Sequence, residues 1–207
     1  MGIAERRARE KDDLRQKILS AASELFVENG FDNVSMRKVA DRIEYAASTI
    51  YLYFKNKNEL VAGICGDAFE ALIAGLEEIE GRELPPLDSF LAGVRCYIKF
   101  GLDHPHQYRL VFSNPVPEQF DEEFREVNSL GMQALQHLAR SIERCRDAGV
   151  FTKTDPQLDA YVIWMILHGV TSVIITDHGR HHMPWPSQEA IIDRALEMVL
   201  GGCGLQR

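Results

Sequence analysis

A chain of 207 residues, 45% of them hydrophobic, can bury a substantial core without metal or disulfide support. Its formal net charge of −8 excludes a general basic coat for nucleic acid, so a polyanion would have to be met by a few placed cations. Cys65, Cys96, Cys145 and Cys203 lie far apart with no C-x-x-C pair, which excludes a zinc knuckle or disulfide framework and points to a reducing, cytoplasmic compartment.

The charge is uneven. Residues 1–60 hold 11 Lys+Arg against 10 Asp+Glu, a net of +1, and the remainder holds 12 against 21, a net of −9. The opening MGIAERRAREKDD has no apolar segment behind it and does not read as a secretory signal. Arg6, Arg7, Arg9 and Lys11 suggest a mobile basic arm able to reach a minor groove. Glu5, Glu10, Asp12 and Asp13 dilute it, and a solvated tail fits equally.

Apolar residues recur three and four apart along the whole chain, and no stretch alternates with period two. The predicted fold class is therefore all-α. Leu14, Ile18, Ala22, Leu25 and Phe26 form one stripe, which stops at Asn29-Gly30. Ser35 can cap a second helix, whose inner face is Met36, Val39, Ala40 and Ile43. Ala47, Ile50 and Phe54 repeat the spacing a few residues on. Three short helices with a tight turn between the last two predict a helix-turn-helix over residues 1–58. Residues 59–207 form a larger helical domain. Its helices are predicted at about 58–80, 86–103, 106–113, 118–147, 156–177 and 187–200, from periodicity and from stops such as Pro85-Pro86 and Gly149. Glu118, Asp121, Glu122 and Glu123 open the fourth of these, and Arg140, Arg144 and Arg146 close it, in the order the helix dipole favours.

Residues 45–54, laid out at roughly 100° per residue, put Ala46, Ala47, Ile50 and Phe54 on one side. Tyr45, Ser48, Thr49 and Leu52 fall opposite, with Tyr51 and Tyr53 on the two flanks. A helix in a major groove needs short groups facing base edges and longer hydrogen-bonding groups facing the phosphate ridges. Tyr45, Ser48 and Leu52 suit the bases. Tyr51, Tyr53, Lys55 and Lys57 suit the backbone. The plainer alternative makes the tyrosines surface rings over a small core.

The helix ending in Asn29-Gly30-Phe31, the S-M-R-x-V-A run from Ser35 to Ala40, and T-I-Y-x-Y-F-K-N-K-x-x-L from Thr49 to Leu60 together resemble the DNA-binding head of the tetracycline-repressor (TetR) family. The resemblance implies all-helical homodimers that bind palindromic double-stranded operators, and repression relieved by a small molecule in the larger domain. It also implies DNA roles for Arg37, Thr49, Tyr51 and Tyr53, and a phosphate contact for Lys57. The chain departs from the family's usual A-G-V-S turn, reading Ile43-Glu44-Tyr45-Ala46. The family's glycine is thus Glu44, and its capping serine is Ala46. Pro105 to Phe112 and Trp164…His168-Gly169 resemble a subgroup with a Trp…His-Gly signature in the larger domain.

In that domain Tyr108, Trp164 and His168 are candidate contacts for an apolar or aromatic effector. The bland alternative for His168 is a core histidine bonded to a neighbour. His178, His181 and His182 read as solvated loop residues rather than metal ligands, and neither metal nor cofactor is predicted. Tyr161 to Thr176 is too short for the roughly 20 residues of a membrane span, and it carries His168, Thr171 and Ser172. It reads as a packed helix, apolar on every face. The last helix is similarly over-apolar. Both call for a second copy, with Val173, Ile192, Leu196, Met198 and Val199 as the predicted interface. Two rival readings are a DNA-binding regulator of this fold without an effector, and a helical enzyme whose head only resembles a DNA module.

Overall fold

The computed structural model describes residues 2–113, 124–176 and 184–205. Among these residues there are nine helices and no strand. They are α1 (Ile3–Asn29), α2 (Met36–Arg42), α3 (Ala47–Tyr51), α4 (Lys57–Glu80), α5 (Pro86–Asp103), α6 (Pro105–Ser113), α7 (Arg125–Asp147), α8 (Pro156–Thr176) and α9 (Gln188–Gly202). Contacts divide the chain into two compact units. One comprises residues up to 68 and the described part of 106–128. The other comprises 69–105 and the described part of 129–207. The boundary predicted at 58 falls just inside α4, which runs on unbroken, and by contacts α6 groups with the first unit.

In the first unit, Ile18, Ala22 and Phe26 of α1 are buried with Val39, Ala40, Ile50, Phe54 and Leu60. The local signals that start and stop these helices are present. Gly30 ends α1 at φ 78, and its N–H bonds Phe26 O at 2.9 Å. The Ser35 side chain accepts from the Lys38 N–H at 3.2 Å, capping α2. Asn56 Oδ1 accepts from the Glu59 N–H at 2.8 Å where α4 begins. α1 is joined to α4 by Arg15, whose guanidinium donates twice to the Asp67 carboxylate, at 2.7 and 2.8 Å. The N-terminal arm is corrected: α1 already starts at Ile3, with Arg6 and Glu10 paired one turn apart at 3.2 Å. Alternating charges at that spacing support an exposed helix.

The second unit packs α8 against both α5 and α9. Phe90 of α5 meets Phe151 edge-on at 5.2 Å. Leu205 bridges back to Phe151, and the Thr152 hydroxyl donates to Gly204 O at 2.9 Å. His137 of α7 lies 2.8 Å from the Glu80 carboxylate at the end of α4, with Arg140 at 3.7 Å from the same oxygen. α7 is described from Arg125, so the predicted start at 118 and its acidic opening lie outside the described residues. So does the loop of His178, His181 and His182. At the described ends, Glu126 and Arg144 with Arg146 keep the order favoured by the dipole.

The cysteines form no disulfide. Burial pushes the Cys65 thiol up to about 12, and those of Cys145 and Cys203 up to about 11. Cys96 is half-buried and also raised by burial, with Glu78 adding to the shift. α8 differs from a helix packed on all sides. It is long and apolar enough to cross a membrane by length and composition, yet only 22% of its most apolar window is buried. One side, Ala160, Ile163, Leu167 and Thr171, faces its own core.

Candidate nucleic-acid interface

The reading helix is positioned by the turn before it. After α2, Ile43 ends the helix and Glu44 takes φ 62, the left-handed region where glycine is usual. The turn closes through the Tyr45 N–H on Ala40 O at 3.0 Å. Ala46 supplies no side-chain cap, so α3 starts without one and is held mainly by packing. Ile50 and Phe54 anchor it inward, both in the core.

What this leaves outward is specific. Leu52 is 81% exposed and Tyr51 53%, and Ser48 is also exposed. A leucine this bare, flanked by hydroxyls, wastes apolar surface in water but suits a groove lined with base edges and thymine methyls. Thr49 and Tyr53 are half-buried, at the shoulders rather than the front. Arg37 at the start of α2 and Lys55 after α3 are exposed, and their side chains make no ion pair among the described residues. These two cations are available to phosphates.

Two of the predicted contact residues also hold partners within the chain. Tyr45 precedes α3, so the helical wheel did not apply to it. Its ring is 43% exposed and lies under Lys17 of α1, with the ammonium 5.3 Å from the ring centre and 3.4 Å from Ile43 O. It braces the turn against α1 instead of joining the outward row of α3. Lys57 donates to Phe31 O at 2.7 Å and sits 4.0 Å over the Phe31 ring, which stacks on Phe26. Its ammonium has two further donors, so a phosphate contact remains open, but the side chain first ties α4 to the loop after α1. Sequence reasoning missed Lys17 and Phe31. Their partners lie 26 residues away in both cases, beyond any local spacing signal.

The predicted effector residues divide between the units. Tyr108 is sealed in the first, its ring 4.7 Å from Phe112. Trp164 and His168 are half-buried in the second and stack at 5.8 Å. Burial lowers the His168 pKa, favouring the neutral ring. The predicted interface is corrected in part. Ile192, Leu196 and Val199 are buried in the chain's own core, because α9 spends its apolar side there. Its outer side is mostly charged, with Asp193, Arg194 and Glu197 exposed. Val173 at 41% and Met198 at 67% do face outward. The larger apolar surface lies on α8, the helix read as apolar on every face: Leu158, Tyr161, Val162, Met165 and Ile166 are all exposed.

Two family models match the chain. One, described as bacterial regulatory proteins, tetR family, covers residues 18–64. The other, described as the tetracyclin repressor-like C-terminal domain, covers residues 90–199. Among curated relatives, the HTH-type transcriptional activator FasR of Mycolicibacterium smegmatis is 26% identical over 187 residues, spanning 89% of this chain and 77% of that protein. Among solved structures, the fatty acid degradation regulator FadR from Bacillus halodurans superposes with a TM-score of 0.75 at 18% identity, covering 93% of this chain and 97% of that one. The ketosteroid transcriptional regulator KstR2 of Mycobacterium tuberculosis superposes with a TM-score of 0.70 at 19% identity, covering 93% and 95%. At these identities the structures show a shared fold.

Proposed function

The chain belongs to the tetR family of bacterial regulatory proteins, as a DNA-binding transcriptional regulator; we propose that it binds a palindromic operator as a homodimer in the cytoplasm and releases it when a small molecule enters the second unit. The observation that carries the DNA half is the outward row of α3. Ser48, Tyr51 and Leu52 stand exposed, and the exposed cations Arg37 and Lys55 make no ion pair among the described residues, in a chain whose net charge is −8. With so little positive charge, affinity must come from placed contacts, and specificity from the base-facing side chains.

One five-residue helix touches too few bases to select a site in a genome. Two copies related by a two-fold axis read two half-sites. The exposed stripe of α8 supports that pairing, since it is apolar and open to solvent. Dimers and small-molecule effectors are typical of the family. The half-buried Trp164 and His168 favour an apolar effector with one or two polar atoms. Two structural relatives, a fatty acid degradation regulator and a ketosteroid regulator, agree with a lipid-like molecule.

The direct experiment is selection of genomic fragments by the purified protein at physiological salt, followed by binding to the enriched sequence. The expected product is an inverted repeat bound by two chains. Retention of bulk DNA with no enriched sequence would refute the reading.

A further inference from the structure

Thr171 of α8 is fully buried, and its Oγ1 makes no hydrogen bond among the described residues. A helical threonine ordinarily turns its hydroxyl to a carbonyl three or four residues back. Thr176 does so, donating to Ser172 O at 2.8 Å. Thr171 does not, and an unmade hydrogen bond among apolar neighbours disfavours the unliganded protein. Trp164, His168 and Thr171 stand at i, i+4 and i+7, on one side of the helix. The two rings are half-buried and stacked, and burial favours the neutral imidazole.

The charges around this side are informative. α8 contains no Lys or Arg, and its one acid, Asp159, bonds the Asp155 N–H at 2.9 Å. The cations of the two helices packed on α8 are exposed and already paired: Arg95 with Asp193, Lys99 with Asp103, and Arg194 with Glu197. None stands ready to neutralise an anion buried beside Thr171, where a lone carboxylate is strongly disfavoured.

We propose that the Trp164–His168–Thr171 side of α8 receives the polar end of the effector, and that the effector is a neutral, largely apolar carbonyl compound, an ester or a ketone, whose oxygen accepts the Thr171 O–H. This rests on the effector reading above and narrows it. The rings of Trp164 and His168 supply flat apolar wall beside the carbonyl. Thr171 is enclosed in the free chain, so the side chains packed around it must shift to admit the ligand. Association is accordingly slower than the diffusion limit.

The test titrates the full-length protein with methyl dodecanoate, androstenedione and dodecanoate, following tryptophan fluorescence and release of the operator. The neutral probes should bind more tightly than dodecanoate. Thr171→Val should weaken the neutral probes about tenfold while melting no lower than the wild type, and Thr171→Ser should restore binding to within about threefold. Equal binding of a neutral probe to wild type and Thr171→Val would overturn the inference while leaving an effector site standing. Tighter binding of dodecanoate than of its methyl ester would overturn the neutral-ligand class. A wild type that binds none of the three would overturn the effector reading itself, and this inference with it.

Discussion

Single residues in the head carry loads that can be separated by measurement. Glu44 holds φ 62 without the glycine that would do so cheaply. Glu44→Gly should raise stability by up to about 1 kcal/mol, as the left-handed strain is relieved. It should also tighten operator binding slightly, by removing an anion near phosphates. A lower melting temperature would show that the Glu44 side chain makes a stabilising contact. Lys57 serves two purposes, and its replacement should show both. Lys57→Met loses the bond to Phe31 O and the cover over that ring, at about 1 kcal/mol of head stability. If it also meets a phosphate, binding weakens on every sequence and the salt slope falls by about 1. A change of base preference with an unchanged slope would exclude that contact. The thiols make a third case. With Cys65 near 12 and Cys145 and Cys203 near 11, almost no thiolate exists at pH 8, and all three are buried. An aromatic disulfide reagent should titrate Cys96 first and the others only after unfolding. Rapid reaction of all four in the native protein would contradict this burial.

At the scale of elements, the joint between α1 and α4 differs from the pairs on the surface. Arg15 and Asp67 meet in a two-pronged bond, are partly buried, and Gln16 adds a third donor at 2.8 Å. Arg42 pairs with Glu28 at 2.8 Å, but both ends are more exposed. Asp67→Ala should therefore cost about 1 kcal/mol or more, and Glu28→Ala well under that. Denaturant titrations giving equal losses would mean that the geometry of the Arg15 fork adds nothing. The same comparison explains what could be read in advance. The ends of α1 and α2 were legible because Asn29-Gly30 and Ser35 act on backbone groups within one turn of themselves. The Arg15–Asp67 joint spans 52 residues and left no local trace.

For the molecule as a whole, the exposed side of α8 has the clearest consequence. Leu158, Val162 and Met165 are each about half exposed or more, and Tyr161, Ile166 and Val173 stand with them. α9 adds Met198 to an otherwise charged outer side, so α8 offers most of the apolar cover for a second copy. The pair should bury more than about 1,200 Å² in total. Val162→Glu with Met165→Glu faces like charges across the two-fold axis and should give monomers in sedimentation. Operator affinity should fall with it, because each half-site is then bound alone. A wild type sedimenting as a monomer at micromolar concentration would remove the dimer and the palindromic operator together.

By itself the sequence determined the helices beyond the basic N-terminal stretch, the turn between α2 and α3, and the family of the head. These follow from spacing, caps and short motifs, all acting within a few residues. It also placed Ser48 and Leu52 outward, because Ile50 and Phe54 have only one way to face a core; Thr49, read on the same face, is half-buried, and Tyr51, read on a flank, is exposed. Only the tertiary structure decided which side of α8 is covered and which is bare. A helix apolar on every face carries no directional signal, and its orientation is set by α5 and α9 packing against it. The tertiary structure likewise turned Tyr45 onto Lys17, tied Lys57 to Phe31, and sank Ile192, Leu196 and Val199 into the chain's own core. Each of those outcomes depends on residues far apart in the chain, and such pairings are fixed by how helices pack rather than by the spacing of residues along any one of them.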